Sequence, residues 1–157
     1  LVTEPKKVPE NVRAYMTGIP AINLDHSKVC QSSLINLGID QMPDLDLSYS
    51  ARIYRIMCCG GFYLSKYVTN IEEVFNINKE HEQITSDQDL VVWYTPQDLL
   101  NKLDYMLEHD ELREQIASNA QAKVLEKHKF TDRIKEMIEI VKTDESRDTK
   151  NSNTSDK

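Results

Sequence analysis

The sequence predicts an α/β domain in which short parallel strands, covered on both faces, alternate with helices. Three observations predict it. Residues 33–39, Ser-Leu-Ile-Asn-Leu-Gly-Ile, form an apolar run suited to a strand buried on both sides. Residues 51–67 read as a short helix that stops at a glycine and turns directly into a second strand over 61–64. Residues 90–94, Leu-Val-Val-Trp-Tyr, give a third strand immediately ahead of a helix, so that strands and helices alternate along the chain.

Each element has a local cause. Residues 1–20 contain Pro5, Pro9, Gly18 and Pro20 without apolar periodicity and read as an irregular lead-in or linker. Residues 23–32 are consistent with a short helix before the first strand. The stretch from Asp40 to Ser48 is a loop at that strand's C-terminal edge, where open α/β sheets bind ligands. Ile53, Ile56 and Met57 recur at helical spacing. Gly60 can take the left-handed conformation that ends a helix, and Gly61 permits the tight turn that follows. Thr95, Pro96 and Asp98 supply an N-cap, a proline at the first helical position and an acid in the first turn. Leu99, Leu100, Leu103, Met106 and Leu107 then make an apolar stripe to about His109. Asp110 is expected to cap the next helix, in which Leu112, Ile116, Ala120 and Val124 recur every four residues. A last helix is expected from Thr131, with Ile134, Met137, Ile138 and Val141 facing inward. Residues 143–157 hold no large apolar side chain and read as a disordered tail. The expected organisation is a lead-in over 1–20, one domain over 21–142 and the tail.

Composition narrows the function classes. A chain of 157 residues, 39% apolar, suits one domain with a sizeable core. No apolar run approaches the ~20 residues that span a membrane, and no signal peptide is apparent. The net charge of −7 argues against nucleic acid as a partner, because phosphate neutralisation needs clustered Lys and Arg. Cys30, Cys58 and Cys59 are odd in number and lack C-x-x-C spacing, which favours reduced thiols and a cytoplasmic location over a disulfide framework or a zinc site. The four histidines show no metal-ligand spacing, and no cofactor or metal is expected. The first residue is Leu, which is compatible with a processed product or a piece of a longer chain.

The order of several motifs carries a resemblance over residues 25–141. Arg52-Ile-Tyr54-Arg55-Ile-Met-Cys-Cys-Gly60-Gly61, then 68–75, the strand at 90–94, the helix from Pro96 and finally His128-Lys-Phe130-Thr-Asp-Arg133 together resemble the C-terminal domain of group 1 glycosyltransferases. The similarity is to the branch that includes spore-maturation-type glycosyltransferase-like proteins. It implies a Rossmann-like parallel sheet with flanking helices, the C-terminal lobe of a GT-B-type fold, a nucleotide-sugar donor and an N-terminal lobe not contained in these residues. Two positions depart from the family pattern: the acid expected to hold the donor's ribose hydroxyls is Arg55 here, and the acid expected eight positions earlier is Leu47. Arg accepts no hydrogen bond from a hydroxyl but binds phosphate well.

The donor-binding candidates are Arg52, Arg55, Gly60 and Gly61; no catalytic residue is assigned. Arg52 and Arg55 can hold a diphosphate near the start of their helix or can pair with Asp44, Asp46 or Glu72 on the surface. Gly60 and Gly61 are also explained by a helix end and a turn. His128 can transfer protons by its ordinary pKa or close a helix junction beside Phe130. Asp44 and Asp46 can bind a cation or sugar hydroxyls or can be solvated loop acids. The functional expectation is glycosyl transfer from a nucleotide sugar. The alternative is a non-catalytic nucleotide-binding or interaction module that keeps the scaffold.

Overall fold

Parallel pairing organises the domain. In a computed structural model that describes residues 24–152, and side chains as far as Thr143, three short strands pair side by side in the order β1 (Asn36–Gly38), β2 (Tyr63–Lys66) and β3 (Val91–Trp93). Leu37 lies opposite Leu64, and Leu64 opposite Val91. The helices are α1 (Leu24–Ser32), α2 (Arg52–Cys58), α3 (Pro96–Glu108), α4 (Asp110–Lys127) and α5 (Phe130–Ser152), with a 3₁₀ turn at Ile71–Glu73. This is a Rossmann-like sheet flanked by helices. The expected strands at 33–39, 61–64 and 90–94 all exist, with narrower or shifted bounds.

Alternation along the buried strands feeds two cores. Tyr63, Leu90 and Val92 point to one side, where Ile53, Ile56 and Met57 of α2 meet Ala120 and Val124 of α4. Phe62, Leu64, Val91 and Trp93 point to the other, where they meet Met106 of α3 and Ile116 and Ala117 of α4. The helix α4 thus serves both faces.

The two margins of the sheet differ. Beyond β3, Ile77 bridges to Leu90, and the Asn78 side chain donates to Val92 O (3.0 Å) and accepts from Val92 N (2.9 Å). Lys102 Nζ donates to the same carbonyl (2.8 Å) and pairs with Asp98 (2.7 Å). Backbone groups that an edge strand would leave open are therefore satisfied by side chains. Beyond β1 no described strand follows. Leu34, Leu37 and Ile39 are 58, 45 and 58% exposed, so the expected burial of this strand on both faces does not hold among the described residues.

Further expectations are corrected. Asp110 is the first residue of α4 rather than its cap, and it pairs with Arg113 (2.7 Å). Leu100 and Leu107 fall outside the α3 stripe and are half-exposed, because only one side of α3 meets the sheet. Ile134, Met137, Ile138 and Val141 face outward, since α5 leaves the body after His128 and no described element lies over them. The α5 backbone is helical to Ser152. The lead-in over 1–20 and residues 153–157 lie outside the described residues.

Candidate functional site

The loops that leave β1 and β2 meet at the C-terminal edge of the sheet. Leu47 N donates to Thr69 O (3.0 Å), Thr69 N to Pro43 O (2.9 Å), and Asn70 Nδ2 to Asp46 (3.0 Å). Leu47 is held at φ 48°, a left-handed conformation that a leucine rarely adopts and that this interlock maintains. Ser50 N donates to Asp40 Oδ1 (2.9 Å), which fixes the approach to α2.

Beneath this edge Tyr63 reaches forward along the sheet. A Cβ on Gly38 would fall 1.8 Å from Tyr63 Oη, so the absence of a side chain at Gly38 makes room for the phenol. Tyr63 is 3% exposed and its hydroxyl has no hydrogen-bond partner of ordinary geometry, yet Ser65, Asp40 and Arg52 lie close enough to act on it electrostatically. Burial pushes its pKa up, with Asp40 acting in the same direction and Ser65 and Arg52 against it. A buried hydroxyl beside a guanidinium and a carboxylate can donate to an anionic or hydroxyl-bearing group that enters the edge.

The expected site residues separate. Arg52 sits at this edge, exposed, and takes part in none of the ion pairs among the described residues; the expected pairing with Asp44, Asp46 or Glu72 is not found. Arg55 lies one turn further along and lines a cavity between α1, α2 and the α4–α5 junction. Gly60 and Gly61 lie past the far end of α2 and line a third depression with Cys30 and Phe62. Gly60 has φ 75°, and a Cβ on Gly61 would come within 2.8 Å of Asn36 Nδ2 and 2.9 Å of Cys30 O, so turn and close approach account for both glycines. Asp46 is occupied by Asn70, and Glu72 accepts from Tyr67. Among the described residues no His, Cys, Asp and Glu cluster could hold a metal, and no helix is long and apolar enough to cross a membrane. Tyr63 and Asp40 escaped the sequence reading; the small residue at Gly38, two positions past the strand partner of Tyr63, is the only local sign of them.

His128 closes the α4–α5 junction. Its ring lies 5.0 Å from Tyr54 and 6.2 Å from Phe75, centroid to centroid, and its Nδ1 accepts from Arg133 (3.1 Å). Burial and then Arg133, Lys123 and Lys127 lower its pKa, with Asp89 opposing. A histidine whose folded pKa lies below its unfolded value stabilises the fold at pH above about 6.5, and that contribution is lost as pH falls. We expect the unfolding midpoint of the wild type in urea to fall between about pH 7.5 and about pH 5.5 more than that of His128→Gln. Parallel declines would show that His128 does not titrate in this way.

A family model described as glycosyl transferase-like matches residues 11–139. The chain belongs to the glycosyl transferase-like family. Curated proteins and solved structures yield no match. The glycosyl transferase-like domain includes every strand and helix described above except the far end of α5, and its matched span contains Asp40, Arg52 and Tyr63.

Proposed function

We propose that this glycosyl transferase-like domain is the nucleotide-sugar-binding C-terminal lobe of a GT-B-type glycosyltransferase of the spore-maturation-type branch. It transfers a sugar from a nucleotide donor to an acceptor, with a second, N-terminal lobe completing the cleft. The observation that carries this reading is the proximity of an exposed Arg52, without a carboxylate partner among the described residues, to the buried and unpartnered Tyr63 hydroxyl at the C-terminal edge of a parallel sheet. Arg52 supplies the fixed positive charge that a departing diphosphate needs, and such preorganised charge is a principal source of rate enhancement. Of the four donor-binding candidates, Arg52 is the one at this edge, while Arg55 lines the cavity beside α1 and Gly60 and Gly61 line the depression with Cys30 and Phe62.

Arg52→Ala should weaken binding of nucleoside diphosphates such as UDP by about 1.5–3 kcal/mol, the worth of a hydrogen bond to a charged group. Its melting temperature should barely change, since an exposed cation contributes about 0–1 kcal/mol to stability. Calorimetric titration of both proteins at fixed salt checks this, and equal affinities would remove Arg52 from the site.

One observation favours a second reading. Leu47 and Arg55 stand where the family resemblance places acids, so the ribose hydroxyls lack those acceptors. A nucleotide-binding module without turnover would then bind nucleoside diphosphates but neither hydrolyse nor transfer the sugar of any donor. Product analysis after incubation with a panel of nucleotide sugars separates the two.

A further inference from the structure

The cavity beside Arg55 has a chemistry that the donor reading does not use. It has a volume of about 450 Å³, within the range of about 300–1,000 Å³ common to small-ligand sites. Its apolar wall comes from the Tyr54 ring, Val124, Leu125 and Phe130, which is 87% exposed at the mouth. Its charged and titratable nitrogens come from His26, Arg55, His128 and Lys129, and no Asp or Glu lines it. In a chain of net charge −7 this is a local reversal of sign.

No carboxylate neutralises the two cations of this cavity among the described residues, as none does Arg52 at the sheet edge, whereas Lys102, Arg113, Lys123 and Arg133 each hold one. Arg55 and Lys129 enter none of the ion pairs or side-chain hydrogen bonds among the described residues, and the Arg55 charge acts on the buried Cys30 thiol. His128 is held in place by its tilted contact with Tyr54 and its stack on Phe75, and because its Nδ1 accepts from Arg133, the neutral ring carries its proton on Nε2. Two unpaired cations and a fixed imidazole beside an apolar wall match a ligand with an anionic head and an apolar body.

We infer that this cavity binds a single-chain amphiphilic anion, an apolar chain or ring that carries a phosphate or carboxylate. The head meets Arg55 and Lys129, and the body lies along Tyr54, Val124, Leu125 and Phe130. The inference is independent of the donor reading, whose residue Arg52 does not line the cavity.

The test is calorimetric titration with decyl phosphate below its micelle concentration, alongside decanol, decyltrimethylammonium and inorganic phosphate. Decyl phosphate should bind about tenfold or more tightly than each of the others, and Arg55→Met with Lys129→Met should remove about tenfold or more of that affinity at an unchanged melting temperature. Leu125→Asp, which places an acid in the half-exposed wall, should weaken decyl phosphate and leave binding of UDP unchanged. Equal affinity for decanol or inorganic phosphate, or full affinity in the double variant, would overturn the inference. Sedimentation with anionic phospholipid vesicles in the absence of any monomer binding would also overturn it, because the face would then recognise a membrane surface rather than a free amphiphile.

Discussion

Phe75→Ala should lower the unfolding free energy by about 3–5 kcal/mol, the usual cost of truncating a buried aromatic ring. Phe75 is 2% exposed and touches rings from three separate parts of the chain. Its ring lies 6.1 Å from Tyr49, 5.9 Å from Tyr54 and 6.2 Å from His128, and Lys123 Nζ sits 5.3 Å over it. Tyr49 precedes α2, Tyr54 lies within it, and His128 ends α4, so one ring ties the 3₁₀ turn to both the candidate site and the α4–α5 junction. Removal leaves a cavity that the surrounding rings cannot all close. Urea unfolding followed by circular dichroism measures the effect, and a loss below about 1 kcal/mol would mean that the cluster relaxes around the gap.

Asn78→Ala should cost about 2–4 kcal/mol, combining an unpaired buried backbone group with the space left behind. Asn78 is fully buried and acts as a short substitute strand, donating to and accepting from Val92. Truncation leaves Val92 N without its partner, whereas Val92 O keeps Lys102. The loss should therefore exceed that of a solvent-exposed asparagine but fall short of losing the whole β3 margin. Denaturant titration of Asn78→Ala and of the exposed Asn101→Ala separates the two, with the latter expected within about 0.5 kcal/mol of the wild type.

Local signals were legible in the sequence where one residue type has one conformational use. Thr95 caps α3 by accepting from Asp98 N (3.2 Å), with Pro96 at the first turn, and Gly60 takes the left-handed conformation that ends α2. Amphipathic spacing showed which residues of α5 share a face, yet periodicity does not say whether anything covers that face, and Ile134 and Met137 lie exposed. The open margin of β1 escaped for the same reason. Arg52 was found through motif order, whereas Tyr63 and Asp40 were not: their meeting depends on the register that sets Tyr63 beside Asn36 and aims its ring past Gly38. Nothing in the sequence marks Lys102 and Asn78 as buried, because burial of a polar group becomes visible only once the backbone groups of Val92 need partners.

The proposed function requires nucleoside diphosphates to bind at the C-terminal edge of β1 and β2. Amide chemical-shift mapping during titration with UDP, and with the other nucleoside diphosphates in parallel, tests it most directly. The largest shifts should fall on Asp40, Ser50, Arg52, Ser65 and Lys66 for at least one nucleotide and should collapse in Arg52→Ala. Shifts confined to the Gly60–Gly61 depression or to the cavity beside Arg55, or none at saturating nucleotide, would contradict the account.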